Sequence, residues 1–328
     1  MTTAPSTLTR GYLTALVSTA FLSTTAIFIR YLTLTYQLPA LVLSFLREGM
    51  VALIMLAVLG LRWPRLLSVK REHLLYLMLY GLMLAIFNSL WTLSVSLNGA
   101  AVSTVLVYCS AGFTALLGWW LLKERLNWAK LLAVAICLGG CALVSGALAP
   151  GAWRANLIGI LTGILSGLWY AIYTLMGRSA AQRGLNPWTT LFYTFGFASV
   201  FLLVVNLIPG GFLPGKALQP ADILWLGNRL TGWGILVALA AGPTLAGYGF
   251  YLVSLSYLPS SVVNLIATLE PAFTTLIAYL LLGERLTGIQ IAGSLMILGG
   301  VVFLRVYEGR LAGQAQPAPP LIIESKTH

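Results

Sequence analysis

Long apolar runs separated by short polar or glycine-containing links dominate the chain. Ten such runs can be drawn, at about residues 11–30, 40–61, 74–97, 102–122, 129–148, 156–177, 188–208, 232–257, 261–282 and 288–306. Each is near the ~20 residues a helix needs to cross the hydrocarbon core of a bilayer. The pattern therefore predicts an all-α membrane protein with ten transmembrane helices. Most links are very short; that between the third and fourth runs is essentially Asn98-Gly99-Ala100-Ala101. The exception, 209–231, contains Pro209, Gly210, Gly211, Pro214, Gly215 and Pro220 and reads as an external loop with a short interfacial helix around Trp225. Residues 1–10 form an N-terminal tail. Pro317, Pro319 and Pro320 mark residues 309–328 as a tail predicted to be disordered.

The same stretch occurs twice. Residues 110–126 read SAGFTALLGWWLLKERL, and residues 270–286, 160 positions later, read EPAFTTLIAYLLLGERL; eight of seventeen positions are identical. Leucine matches are cheap in a chain that is 59% hydrophobic. The Phe113-Thr114/Phe273-Thr274 pairs and the Glu-Arg-Leu endings are not, and the register runs on to Gly139-Gly140 and Gly299-Gly300. Aligning Gly11–Arg30 with Gly159–Arg178 adds Leu13/Leu161, Thr14/Thr162, Ser18/Ser166 and the terminal arginines. The chain thus divides into two five-helix repeats, 11–148 and 156–306. Five is odd, so the second copy enters the membrane from the opposite side, and the repeats are inverted about an axis in the membrane plane.

Composition agrees with a bilayer as solvent. Only 8% of the 328 residues are charged and the mean hydropathy is +0.91, against about 25% charged residues in soluble domains. The net charge of +11 reports topology here, not nucleic-acid binding. With the N-terminus in the cytoplasm, thirteen lysines and arginines fall inside and five outside, Arg47 lying within a span. This bias places both termini in the cytoplasm. Cys109, Cys137 and Cys141 all sit in apolar segments, which argues against disulfides or a metal site; with only His73 and His328, a histidine metal cluster is excluded. No cofactor is expected, and the first run reads as a retained helix, not a cleaved signal.

The LLKERL ending at 121–126, the EPAFTTLIAYLLLGERL segment at 270–286, the Gly-Gly pairs and Arg47 resemble the drug/metabolite transporter superfamily, specifically its EamA type. Within it, the chain is similar to amino-acid and metabolite exporters of the YddG kind, and the resemblance covers about residues 11–305. It implies a ten-helix carrier whose central cavity is lined mainly by helices 1, 3, 4, 6, 8 and 9, with helices 5 and 10 as scaffold. One departure stands out. Family members often carry proline at both mirror positions, and here Ser110-Ala111 matches Glu270-Pro271. A kink in the fourth helix must arise otherwise, for instance at Gly112.

Several residues carry candidate chemistry. Glu270 is a carboxylate inside an apolar span, which costs about 2.5–3.5 kcal/mol on insertion scales. It reads either as a substrate-amine or proton site or as a structural acid with its own partner. Pro271 removes one backbone hydrogen bond and can free a carbonyl towards a cavity. Arg47 and Glu48 are adjacent in the second helix and point about 100° apart, so each is expected to find a partner elsewhere, or Glu48 to be protonated; a structural or gating pair is favoured over substrate contact. Glu124 and Glu284 read as solvated helix ends. Most tryptophans fall near span ends, as an interfacial belt. Trp91, close to Asn88, and Trp169, on one face with Tyr173, are mid-span. With Tyr108, Tyr248, Tyr251 and Asn264 they suit an amphipathic pocket for a small organic metabolite, the alternative being ordinary helix packing. Gly159, Gly163 and Gly167 form a smooth packing face. Gly242 and Pro243 predict a bend in the eighth helix beside the cavity.

The expected function is that of a secondary transporter in the cytoplasmic membrane, moving a small metabolite outward by alternating access. An amino acid is the favoured substrate and protons are a candidate coupling ion. Alternatives are a purine-like or drug-like solute, a sugar-phosphate or nucleotide-sugar exchanger, or a channel. No catalytic constellation such as HExxH or Ser/His/Asp is present, so an enzyme is not expected. The sequence leaves the oligomeric state open.

Overall fold

The computed structural model describes residues 7–110, 112–113, 117, 128–144, 152–211, 213–258, 263, 266–267 and 269–314. These residues form helices joined by turns and carry no strand. The helices are α1 (Thr7–Thr35), α2 (Ala40–Arg62), α3 (Arg71–Asn98), α4 (Ala100–Val107), α5 (Trp128–Val144), α6 (Ala152–Gln182), α7 (Pro187–Leu207), α8 (Leu230–Tyr257), α9 (Glu270–Leu282) and α10 (Gly288–Gln314). Six of them, α1, α2, α3, α6, α7 and α8, are long and apolar enough to cross a bilayer. Many large apolar side chains remain exposed along these helices, such as Leu53, Val200 and Leu295, as lipid contact requires.

Helix packing carries the signature of the repeat. An exchange of α1 with α6, α2 with α7, α3 with α8, α4 with α9 and α5 with α10 maps the main helix contacts onto one another. The α3–α6 contact has its mirror in α8–α1, and the α1–α9 contact in α6–α4. The α2–α7, α4–α9 and α5–α10 contacts are their own mirrors. The α5–α10 pair packs closely at one side of the bundle, with the Gly140 Cα opposing the Gly293 carbonyl.

Small residues set the close approaches. A Cβ at Gly163 would sit 2.6 Å from Leu106 Cδ1, and one at Gly167 would sit 2.9 Å from the Val107 carbonyl oxygen. The smooth face of α6 therefore seats α4. Gly99 alone links α3 to α4 and has φ +87° and ψ 168°, a region open in practice only to glycine. This tight corner aims the first N–H groups of α4 at Glu284.

Three details differ from the sequence reading. The first helix begins at Thr7 and α10 runs on to Gln314, so the start of the 309–328 tail expected to be disordered is helical. Backbone hydrogen bonds within a helix do not need apolar side chains to continue past the hydrocarbon. Cys109 is disulfide-bonded, against the expectation from its apolar segment; apolar placement speaks to solvent and not to whether a second thiol is within reach. The 209–231 loop has a short 3-10 turn at Pro220–Leu224, just before Trp225, and is pinned by Lys216, buried and donating to the carbonyls of Ile208 and Gly210.

Candidate substrate cavity

The cavity lies where α4 and α9 are both interrupted. The regular helix of α4 ends at Val107, and Tyr108 and Cys109 turn with shorter i to i−3 bonds, Tyr108 N to Val105 O and Cys109 N to Leu106 O, both 3.1 Å. At the mirror place α9 starts at Glu270 after a turn at Leu269, with Pro271 in its first turn, where a missing N–H is tolerated. The break in the fourth helix thus falls at Tyr108–Cys109 and not at Gly112. No proline is needed for it.

The two breaks are stitched together. The Tyr108 hydroxyl donates to the carbonyl of Ala267, four residues before Pro271. That carbonyl is the acceptor left free because Pro271 has no N–H. The same hydroxyl lies 3.1 Å from Glu270 Oε2. A phenol has one proton, so with that proton on Ala267 the Glu270 contact is filled only when the carboxyl brings its own. The Tyr108 hydroxyl thus joins the buried acid to the freed carbonyl at the α9 break.

Around this stitch, Leu22 and Thr25 of α1, Phe87 and Trp91 of α3, Val107 and Tyr108, Tyr170 of α6, Tyr248 and Tyr251 of α8, and Glu270 line one cavity. The lining comes from helices 1, 3, 4, 6, 8 and 9, the set implied by the resemblance. The cavity measures only about 30 Å³, room for a water or two, so the structure shows it closed down. Its walls are aromatic and interlocked: Phe87 lies 5.2 Å from Tyr170 and Tyr173 packs edge-on to Tyr248 at 5.8 Å. Tyr251 shares a hydrogen bond of 3.0 Å with Thr174.

The sequence-derived residues fall in different places. Trp91, Tyr108, Tyr248, Tyr251 and Glu270 reach the cavity. Asn88 is fully buried behind it, its Oδ1 accepting from the Tyr248 hydroxyl at 3.3 Å. Tyr173 is fully buried in the aromatic wall, 4.8 Å from Tyr80. Trp169 does not line the cavity and packs half-buried at the core edge; its neighbour Tyr170 does. The clue was present, since Tyr170 continues the Gly163–Gly167 face at helical spacing while Trp169 is a step of about 100° off it. Leu22, Thr25, Phe87 and Val107 were missed because nothing local distinguishes them from other apolar positions. Asn264 lies outside the described residues, as does Glu124.

The bend foreseen at Gly242 and Pro243 is a π-helical stretch, Ala240–Ala246, inside α8. Pro243 is buried within it, and Tyr248 and Tyr251 follow directly. Arg47 and Glu48, both fully buried, pair with each other through Arg47 Nη2 and Glu48 Oε1 at 3.3 Å, contrary to the expectation of separate partners. Both side chains are long enough to fold across the angle between adjacent helix positions. The Arg47 guanidinium also lies 6.0 Å from the centre of the Trp91 ring.

The sequence pattern that defines the EamA-like transporter family matches residues 9–146 and again 157–306. The chain belongs to the EamA-like transporter family. It is 29% identical to an uncharacterized transporter of Archaeoglobus fulgidus, over 67% of this chain and 73% of that protein. It is 29% identical to the threonine/homoserine exporter RhtA of Salmonella typhimurium (strain SL1344), over 70% of each. With RhtA of Escherichia coli (strain K12) the identity is 28%, over 73% of this chain and 72% of that one. A solved crystal structure, 16% identical, superimposes with a TM-score of 0.61 over 92% of this chain and 98% of its own, which speaks to the fold.

In this EamA-like transporter the bundle end holding Arg30 is latched. Arg30 Nε lies 3.3 Å from Glu284 Oε1, and its Nη1 donates to the Ser96 carbonyl at 2.6 Å. Glu284 in turn accepts from the N–H groups of Ala100 and Ala101, at 3.1 and 3.2 Å. A carboxylate at a helix N-terminus both satisfies orphan donors and faces the positive end of the dipole. Glu284 is therefore a tie between α1, α4 and α9, and not a solvated helix end. At the other end Arg178, the repeat partner of Arg30, donates to the carbonyl of Leu255 at 2.8 Å and to that of Leu258 at 3.3 Å. Leu255 is 160 residues after Val95, whose carbonyl faces Arg30.

Proposed function

We propose that the protein is a secondary transporter that carries a small zwitterionic metabolite, an amino acid, out of the cell. The observation that carries this reading is the buried cavity between the two repeats, aromatic on its walls and holding one carboxylate, Glu270, at the α4–α9 breaks. An aromatic lining suits the apolar part of an amphipathic solute, and a carboxylate in a low-dielectric site suits an ammonium group or a proton. Two inverted halves around one midplane site fit alternating access. The names of the RhtA relatives, threonine/homoserine exporters, support the substrate class and the outward direction. Both termini lie in the cytoplasm, from the thirteen-to-five distribution of basic residues, so the Arg30–Glu284 latch closes the outer end.

Overexpression in a bacterium should raise tolerance to toxic amino-acid analogues, among them analogues of threonine. Unchanged tolerance to aromatic, aliphatic and hydroxylated analogues, with the protein verified in the membrane, would overturn the substrate class.

A further inference from the structure

Behind the Trp91 and Tyr248 walls of the cavity is a cluster of donors that the fold does not use. Arg47 is fully buried, yet its Nε and Nη1 have no protein partner. Trp91, 4% exposed, has no partner for its indole N–H. The Nδ2 of Asn88 and the Glu48 Oε2 are neighbours, each without another partner. These groups are neighbours: Arg47 stands over the Trp91 ring, and Asn88 is one helical turn before Trp91 on α3. Tyr248 bridges from Asn88 to the cavity, whose lining it shares with Trp91 and Glu270.

A purely structural ion pair does not account for this arrangement. Such a pair is retained in an apolar interior when its remaining donors and acceptors are satisfied. Here Glu48 engages one guanidinium nitrogen at 3.3 Å, longer than the roughly 2.7–2.9 Å usual for charged N–H to carboxylate bonds. The pairing offsets the charge of Arg47 within the span but leaves two guanidinium nitrogens and the Trp91 indole N–H unspent. Glu48 Oε2 is the acceptor nearest the Asn88 amide, which leaves the guanidinium Nε and Nη1 and the Trp91 indole N–H as donors without an acceptor. A planar anion with two oxygens matches a guanidinium best.

We propose that Arg47 and Trp91 form a carboxylate-binding subsite at the back of the central cavity. The charge and the fork of the guanidinium favour a planar anionic carboxylate over a neutral acceptor. That the carboxylate belongs to an amino acid rests on the function proposed above. A solute bearing both groups places its carboxylate against Arg47 and Trp91 and its ammonium group towards Glu270, so the two buried charges of opposite sign read the two ends of a zwitterion. Since the cavity is closed in this structure, the subsite fills as the cavity widens, and Trp91 is the first donor met from the cavity side.

The test uses the purified full-length protein with propionate, propionamide and L-threonine, read by melting temperature and tryptophan emission. Propionamide has the shape of propionate but presents an NH2 group to donors, so it should bind about tenfold or more weakly. Propionate is expected to stabilise the wild type and shift its emission, and Trp91→Phe should lose the emission change. The double variant Arg47→Gln/Glu48→Gln removes both charges together, so no lone charge is left buried; it should fold and bind propionate and propionamide alike. Equal responses of the wild type to the two probes, as expected of a site that holds only water, would overturn the subsite. So would a preference for propionate that survives in the double variant. If propionate is preferred while L-threonine binds no better than propionate and is not transported, the subsite stands and the amino-acid reading falls.

Discussion

Glu270→Gln is expected to raise the amino-acid concentration giving half-maximal transport by about 10–150-fold, the loss of one charge-assisted hydrogen bond of roughly 1.5–3 kcal/mol. Glutamine keeps the size of the side chain and can still meet the Tyr108 hydroxyl, so the stitch between the α4 and α9 breaks survives. What disappears is the negative charge lining the cavity. Initial rates measured over a range of substrate concentration and pH separate the possible roles. Weakened binding at every pH means that Glu270 holds the substrate ammonium group. Loss of pH dependence with exchange retained means that it carries a proton. A lower melting temperature with unchanged kinetics would make it a structural acid and remove it from the site. Wild-type affinity together with wild-type pH dependence would remove any functional claim for the residue.

Cutting the latch should open the bundle at the Arg30 end. Glu284→Gln removes the ion pair with Arg30 and weakens both contacts to the first N–H groups of α4. Each partner is 20% exposed, so solvent screens part of the loss, and about 1–3 kcal/mol in all is expected from a cap and a partly exposed pair. That moves an opening equilibrium by roughly 5–150-fold. A cysteine at Thr25, on the cavity wall, should react correspondingly faster with an impermeant thiol reagent added from outside, in a background with Cys109, Cys137 and Cys141 replaced by serine. An unchanged rate would show that the latch does not hold the outer end. In the same background, cysteines at Ser68 and Leu218 should label from opposite sides of the membrane, and labelling from one side would contradict the orientation.

The features legible in the sequence are those written in period and register. Helix lengths follow from apolar runs, and the 160-residue offset between the Glu-Arg-Leu endings anticipated a two-fold relation that reappears in the carbonyls of Val95 and Leu255 facing Arg30 and Arg178. Glu270 and Pro271 were visible because an acid and a proline are conspicuous in an apolar span, and the carbonyl expected to be freed is that of Ala267. What depends on reach between side chains was not legible. The Arg47–Glu48 pair defies the angle between their Cα–Cβ bonds because both chains are long and flexible. Tyr170, and not Trp169, lines the cavity; that choice was legible in the Gly163–Gly167 face, which Tyr170 continues at helical spacing. Glu284 ties three helices together because Gly99 turns the start of α4 towards it, a contact between residues 184 apart.

Counterflow in proteoliposomes tests the central claim most directly. Vesicles containing the purified protein are loaded with unlabelled L-threonine and diluted into a trace of labelled L-threonine. An alternating-access carrier of amino acids should take up label transiently above equilibrium, in a saturable manner, and only when the interior is loaded. Flux that rises linearly with concentration and ignores the interior solute would contradict the account and point to a channel.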